Sequence, residues 1–279
     1  MKRILPISLD NRDANLILVE PDDRPAVAVL LWLPAMGTPA KVYLPFAEKL
    51  CEKGWSVVLC DYRGHGESGY IASREENFGF VDILESDLSH YWALVRGIYP
   101  TTPVFIGGHS LGGQFASLFS GTIQDDVNGV VLVASGLPFY KLFPGLKSFG
   151  MNLSVRFIRM MAKINGFYPG DKIGFGGNEG KDLILDWAHC ALNGDYNLIN
   201  SDKNWEEVLG GQHQPILSIS LSADNYAPRK CIDALVEKMP VAEASIQELV
   251  PSMFASGSAD HFSWIKESGP VVRKIVRWA

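Results

Sequence analysis

What this sequence lacks already narrows its class. Its longest uninterrupted apolar run, Ala26–Leu33, falls far short of the roughly 20 residues that span a bilayer. The apolar stretch near Met1 gives way to Asp10, Arg12 and Asp13 too soon to read as a signal peptide. Cysteine is sparse, and Cys51, Cys60, Cys190 and Cys231 form no C-x-x-C pair and no metal-ligand spacing. Buried free thiols are therefore expected, with no disulfide framework and no metal site. No basic run occurs: 25 Lys plus Arg against 31 Asp plus Glu leave a net charge of −6. That balance speaks against nucleic acid or a membrane surface as the main partner. A cytoplasmic protein is the expectation.

What is present is ordinary globular material, 47% hydrophobic and 20% charged over 279 residues. Apolar runs at Asn15–Glu20, Ala26–Leu33, Ser56–Cys60, Val104–Gly108, Gly129–Ala134, Ile216–Leu221 and Ser245–Val250 read as strands. Several are continuously apolar, as parallel strands covered on both faces are. Helical periodicity separates them at Val42–Lys53, Asp82–Tyr99, Leu111–Ser120, Pro228–Lys238 and Trp264–Trp278. The rhythm predicts an α/β fold, a mostly parallel sheet with helices on both faces. It breaks between residues 136 and 214, where no clear strand is visible and helical patterns occur at Leu153–Ile164 and Lys181–Leu192. The expected organisation is a core of residues 1–135 and 215–279, split by a helical lid at 136–214.

The sharpest chemical signal is Gly108-His109-Ser110-Leu111-Gly112, a G-x-S-x-G pattern directly between an apolar strand and a helix. That context marks a nucleophile elbow, with Ser110 on a strained turn and small neighbours allowing close approach. A serine hydroxyl needs a base, and the base needs a carboxylate. In a fold of this kind the chain order runs Ser, Asp or Glu, His. His189 and His213 fall in the lid or before a strand, whereas His261 follows the last strand and is the expected base. Asp224, after the strand Ile216–Leu221, is the expected acid. Asp260 is the rival carboxylate, but a neighbour in sequence seldom has the geometry to orient that imidazole. The oxyanion donors should be the N–H of Leu111 and one from Pro34–Gly37, with Met36 ahead of Ala35.

With these residues in place the chain resembles the α/β-hydrolase superfamily over nearly its full length. The resemblance rests on Pro34–Gly37, the loop Asp61-Tyr62-Arg63-Gly64-His65-Gly66-Glu67-Ser68, the elbow, Asp224 and His261. Within the superfamily it is similar to a poorly characterised bacterial group of hydrolases, through segments such as Gly166–Gly170, Asp186–Ala188 and His261–Trp264. The D-x-R-G-x-G-x-S loop is structural in such proteins, which sets His65 aside as a base. Many members carry His-Gly in the oxyanion loop, where this chain has Pro34-Ala35.

The resemblance implies serine-dependent hydrolysis of an ester, amide or thioester. A carboxylesterase for a small or medium acyl ester is the leading expectation, needing no cofactor and no metal. Ser rather than Asp at the nucleophile position disfavours a dehalogenase or epoxide hydrolase. Acyl transfer on the same triad is the first alternative, and a non-catalytic ligand-binding protein is the second. The expected partner is a small-molecule acyl substrate, and the sequence leaves room for a homodimer. Phe149, Phe157, Met160, Met161, Phe167 and Tyr168 are candidates for an acyl pocket, with core packing the commoner role.

Overall fold

Eight strands form one sheet in the computed structural model, which describes residues 1–279. They are β1 (Lys2–Leu9), β2 (Arg12–Val19), β3 (Ala28–Leu33), β4 (Trp55–Leu59), β5 (Val104–His109), β6 (Val130–Val133), β9 (Ile216–Leu221) and β10 (Ala244–Leu249). Their spatial order is β1-β2-β4-β3-β5-β6-β9-β10, antiparallel at β1–β2 and β2–β4 and parallel elsewhere. The helices are α1 (Leu44–Cys51), α2 (Leu88–Ile98), α3 (Leu111–Ser120), α4 (Gly145–Asn165), α5 (Gly170–Ile173), α6 (Lys181–Asn193), α7 (Trp205–Gly210), α8 (Arg229–Glu237) and α9 (Gly269–Trp278). Two short strands, β7 (Phe167–Pro169) and β8 (Asn178–Gly180), pair antiparallel outside the main sheet.

The continuously apolar strands are buried on both faces because they feed two cores. Alternate residues of β3 point opposite ways: Val29, Leu31 and Leu33 join one cluster with α2 and α3 residues, and Leu30 and Trp32 join another with α1 and α9. This is the α/β-hydrolase architecture, with the parallel strands ending on one edge. All four cysteines are free, and only Cys51 is not fully buried. No helix is long and apolar enough to cross a membrane.

Several expectations need correction. Strand β1 had no clear apolar run, because it lies at the sheet edge with its residues largely exposed and Pro6 in its middle. The helix expected over Trp264–Trp278 is a 3₁₀ turn at Ser263–Ile265 followed by α9, which starts at Gly269-Pro270, where proline fits only a first turn. Between β6 and β9 the chain does contain strands, β7 and β8, three residues each and too short to leave a period-2 signature. Helix α4 begins well before the expected Leu153, and α7 was not foreseen.

The loop after β4 is held by charge as well as by the burial of Tyr62 against Phe115. Asp61 accepts hydrogen bonds from the amides of Ala40 (2.7 Å) and Glu67 (3.1 Å). Arg63 Nε lies 3.0 Å from both carboxylate oxygens of the buried Asp87, and its Nη2 reaches Asp10 at 2.6 Å. Burial pushes the Asp87 carboxyl up to about 6, against the opposing pull of Arg63. Removing one member of a buried pair strands the other charge, at a cost of about 3–5 kcal/mol. Arg63→Ala is accordingly expected to lower unfolding free energy by about that amount in urea, with Arg63→Lys between it and wild type. An unchanged midpoint in the alanine variant would show that the pair is not holding this loop.

Candidate active site

The C-terminal ends of the parallel strands gather the predicted residues on one edge. Met36 follows β3, Ser110 follows β5, Asp224 follows β9 and His261 follows β10. Ser110 sits at φ 54°, ψ −119°, a strained conformation for a non-glycine residue, immediately before α3. The turn is possible because β3 passes directly against the helix start. A Cβ at Gly112 would lie 2.3 Å from the Pro34 carbonyl oxygen and 2.4 Å from that of Leu33. Two hydrogen bonds pin the strained residue: its amide donates to Val133 O (3.1 Å), and Ser135 Oγ donates to its carbonyl (2.7 Å).

His261 and Asp224 are brought together. Nδ1 of the buried imidazole is 2.7 Å from Asp224 Oδ2, while Oδ1 accepts from the amides of Tyr226 (2.7 Å) and Ala227 (2.9 Å). With Asp224 accepting, the proton sits on Nδ1 and Nε2 keeps its lone pair. Asp260 does not compete. It accepts from the Phe262 and Ser263 amides and from Ser258 Oγ, which hold its carboxyl down at about 2. His189 pairs with Asp195 at 2.7 Å. Ser110 Oγ makes no hydrogen bond in this geometry, and such contacts often tighten only around bound substrate.

The two predicted oxyanion donors are free for that use. In Pro34–Gly37, proline has no N–H, the Ala35 amide donates to Tyr43 Oη (3.0 Å) and the Gly37 amide to His65 Nε2 (3.2 Å). The Met36 amide donates to nothing in the protein, nor does that of Leu111 at the start of α3. Both residues line the same cavity as Ser110 and His261.

That cavity measures about 790 Å³ and is mostly apolar. Of the six aromatic and Met residues considered for it, Phe157 and Tyr168 line it, with Phe143, Met151, Phe175 and Trp187. The other four do not: Phe149 and Met160 are exposed on α4, and Met161 and Phe167 are half-buried against the core. No Asp or Glu lines it, and Lys147 is its one Lys or Arg. No group of three or more His, Cys, Asp or Glu side chains is arranged to hold a metal ion.

Two features of the site had no signal in the linear sequence. Tyr43 Oη, accepting from the Ala35 amide, also shares a 2.7 Å hydrogen bond with Nδ1 of the buried His109, linking the oxyanion loop to the residue before Ser110. Burial, reinforced by His261 with its ring 4.6 Å away, keeps His109 neutral. The second feature is Glu179 on β8, buried with Oε1 2.9 Å from His65 Nε2 and accepting from the Gly177 amide. The Gly37 amide lies against both His65 Nε2 (3.2 Å) and the Glu179 carboxyl. Burial disfavours charge on either partner, raising Glu179 to about 8 and lowering His65 to about 4. The contact is thus a hydrogen bond between neutral groups. It fastens the glycine loop before β8 to Gly37, whose φ of 70° and absent side chain allow Gly176 to pack on it.

Residues 24–165 match the family described as serine aminopeptidase, S33. No curated protein matches the chain in sequence. Among solved structures it is similar to Est1E from Butyrivibrio proteoclasticus with ferulic acid bound, at 13% identity, 98% coverage of both chains and a TM-score of 0.68. A malate-bound thermophilic esterase from Thermogutta terrifontis gives 16% identity, 99% and 97% coverage and a TM-score of 0.66. A monoacylglycerol lipase from Paleococcus ferrophilus gives 17%, 99% and 98%, and 0.62. At these identities the likeness speaks for the fold.

The Glu179–His65 contact gives a pH test. A raised folded pKa means stabilisation that is complete below the unfolded value of 4.5 and is lost as pH rises toward about 8. His65 shifts the other way, but wild type and a Glu179→Gln variant both carry it and its unfolded form loses its proton above pH 6.5, so the difference between them there reports Glu179. Tyr62 and Tyr168 beside it stay protonated throughout that window. Glu179→Gln keeps a neutral hydrogen-bonding group and should therefore gain on wild type between pH 6.5 and 8, by at most about 1.4 kcal/mol per pH unit. Parallel stability curves in urea would mean that Glu179 is ionised in the fold.

Proposed function

Since the chain belongs to the serine aminopeptidase S33 family of hydrolases, we propose that it is a serine esterase acting on a medium-sized acyl ester. The observation that carries the ester reading is the cavity lining. An aminopeptidase must hold a free ammonium group, and no carboxylate faces the space above Ser110. An apolar lining around about 790 Å³, within the usual ~300–1,000 Å³ of small-molecule sites, suits an acyl chain instead.

In this reading Ser110 Oγ attacks the acyl carbon while His261 Nε2 takes its proton. Asp224 holds the imidazole in the tautomer that leaves Nε2 basic and stabilises the imidazolium that forms. The Leu111 and Met36 amides receive the negative charge on the carbonyl oxygen, at a helix start where the dipole adds to them. The imidazolium returns its proton to the departing alkoxide. A water, activated by the same nitrogen, then attacks the acyl-enzyme and releases the acid. Residues 136–214 serve as the lid that excludes bulk water, with core residues 1–135 and 215–279 supplying the triad. Glu179 and His65 tie that lid to the oxyanion loop.

A fluorophosphonate probe is expected to label the protein once per chain and to leave Ser110→Ala unlabelled. Labelling that persists in a folded Ser110→Ala protein would sink the assignment. Asp224→Asn should keep the fold and lower kcat by about 10³–10⁴-fold on a short-chain nitrophenyl ester, because the imidazole then carries its proton on the wrong nitrogen. A loss under tenfold would remove Asp224 from the triad.

A further inference from the structure

Helix α4 carries apolar residues on the wrong side for a helix that only covers a site. Val155, Ile158 and Ala162 pack inward, as an amphipathic helix requires. Yet Leu146, Phe149, Leu153, Phe157, Met160 and Ile164, spaced by three or four residues, form a second stripe that is 48–89% exposed. Six large apolar side chains in one row exceed the scattered exposure normal for a surface. The same helix holds Lys147, Arg156, Arg159 and Lys163 and no Asp or Glu. None of these four makes an ion pair: Lys147 bonds to Asn225 O and Arg156 to Asn152 Oδ1. In a chain of net charge −6, Arg156, Arg159 and Lys163 make one uncompensated positive flank along the stripe, with Lys147 on the opposite flank beside the cavity.

The stripe is continuous with the cavity, since Leu153 and Phe157 belong to both. A helix with apolar residues facing outward and cations beside them lies in a lipid interface, apolar face in the acyl boundary and cations against anionic headgroups. Pairing with a second copy through this stripe is disfavoured by the same charges, because it would bring the uncompensated cations of both copies into one interface. We propose that the outer face of α4 docks on an anionic lipid surface and seats the cavity mouth there, so that a lipid acyl ester enters from the bilayer. The delivery step rests on the esterase reading. The docking does not.

Vesicle co-sedimentation tests it, using phosphatidylcholine alone and phosphatidylcholine with equimolar phosphatidylglycerol. Wild type and Ser110→Ala should both sediment with the anionic vesicles, less so at high salt, so a failure of the serine chemistry leaves this result untouched. Arg156→Gln with Arg159→Gln should weaken partitioning roughly twenty-fivefold, from about fivefold per cation near the surface. Leu146→Ser with Phe149→Ser, neither of which lines the cavity, should abolish it while leaving thermal unfolding and hydrolysis of a soluble short ester unchanged. No sedimentation, or equal sedimentation with uncharged vesicles, overturns the proposal. So does a stripe whose substitution alters only the oligomeric state, which would make it an interface between copies.

Discussion

The backbone at Ser110 is the constraint from which the rest of the site follows. A non-glycine residue at positive φ costs of order 1–3 kcal/mol, and it persists only where its surroundings leave no other conformation. Here β5 must pass into α3 within one residue while β3 runs against the helix start, close enough that Gly112 has no room for a Cβ. Gly108 is under the same restriction, packed directly on Gly112. That crowding lifts Ser110 clear of the sheet edge and turns the Leu111 amide outward. It also brings the Pro34–Gly37 loop alongside, so hydroxyl and amide donors arise from one packing event.

The free amides depend on where their neighbours are spent. Tyr43 takes the Ala35 N–H and His65 takes that of Gly37, which leaves Met36 as the one uncommitted donor in its loop. Glu179 then closes the arrangement from the far side, reaching His65 from a strand outside the main sheet. An ionised carboxylate buried there would be expensive, so its proton is part of the structure. The segment between β6 and β9 is thereby fastened to the loop beside Ser110 by a neutral bond, not merely laid over it.

How much of this was legible in the sequence depended on how local each signal is. The elbow could be read because strand, turn and helix are contiguous at Val104–Ser120. Asp224 could be read because it follows a strongly apolar strand, and His261 because it stands between the last strand and the last helix, so topology places both without any side-chain geometry. Glu179 could not, since its partner His65 is 114 residues away and nothing near it is periodic. His109 and Tyr43 were hidden for a similar reason: one looks like the variable position of the motif, the other like an ordinary helix residue. Phe149 and Met160 misled as pocket candidates because composition cannot say which face of α4 is inward. The net charge of −6 was likewise an average over an uneven surface, hiding the four unpaired cations of that helix.

The central claim is that Ser110 carries the acyl group between two half-reactions. Rapid-quench intact-mass spectrometry during turnover of an activated ester observes that species directly. One added acyl group per chain, mapped to the peptide containing Ser110 and decaying at the steady-state rate, is the predicted result. Turnover with no covalent species at quench times spanning a single turnover, on an activated ester whose deacylation is rate-limiting, or an acyl group found on another residue, would contradict it.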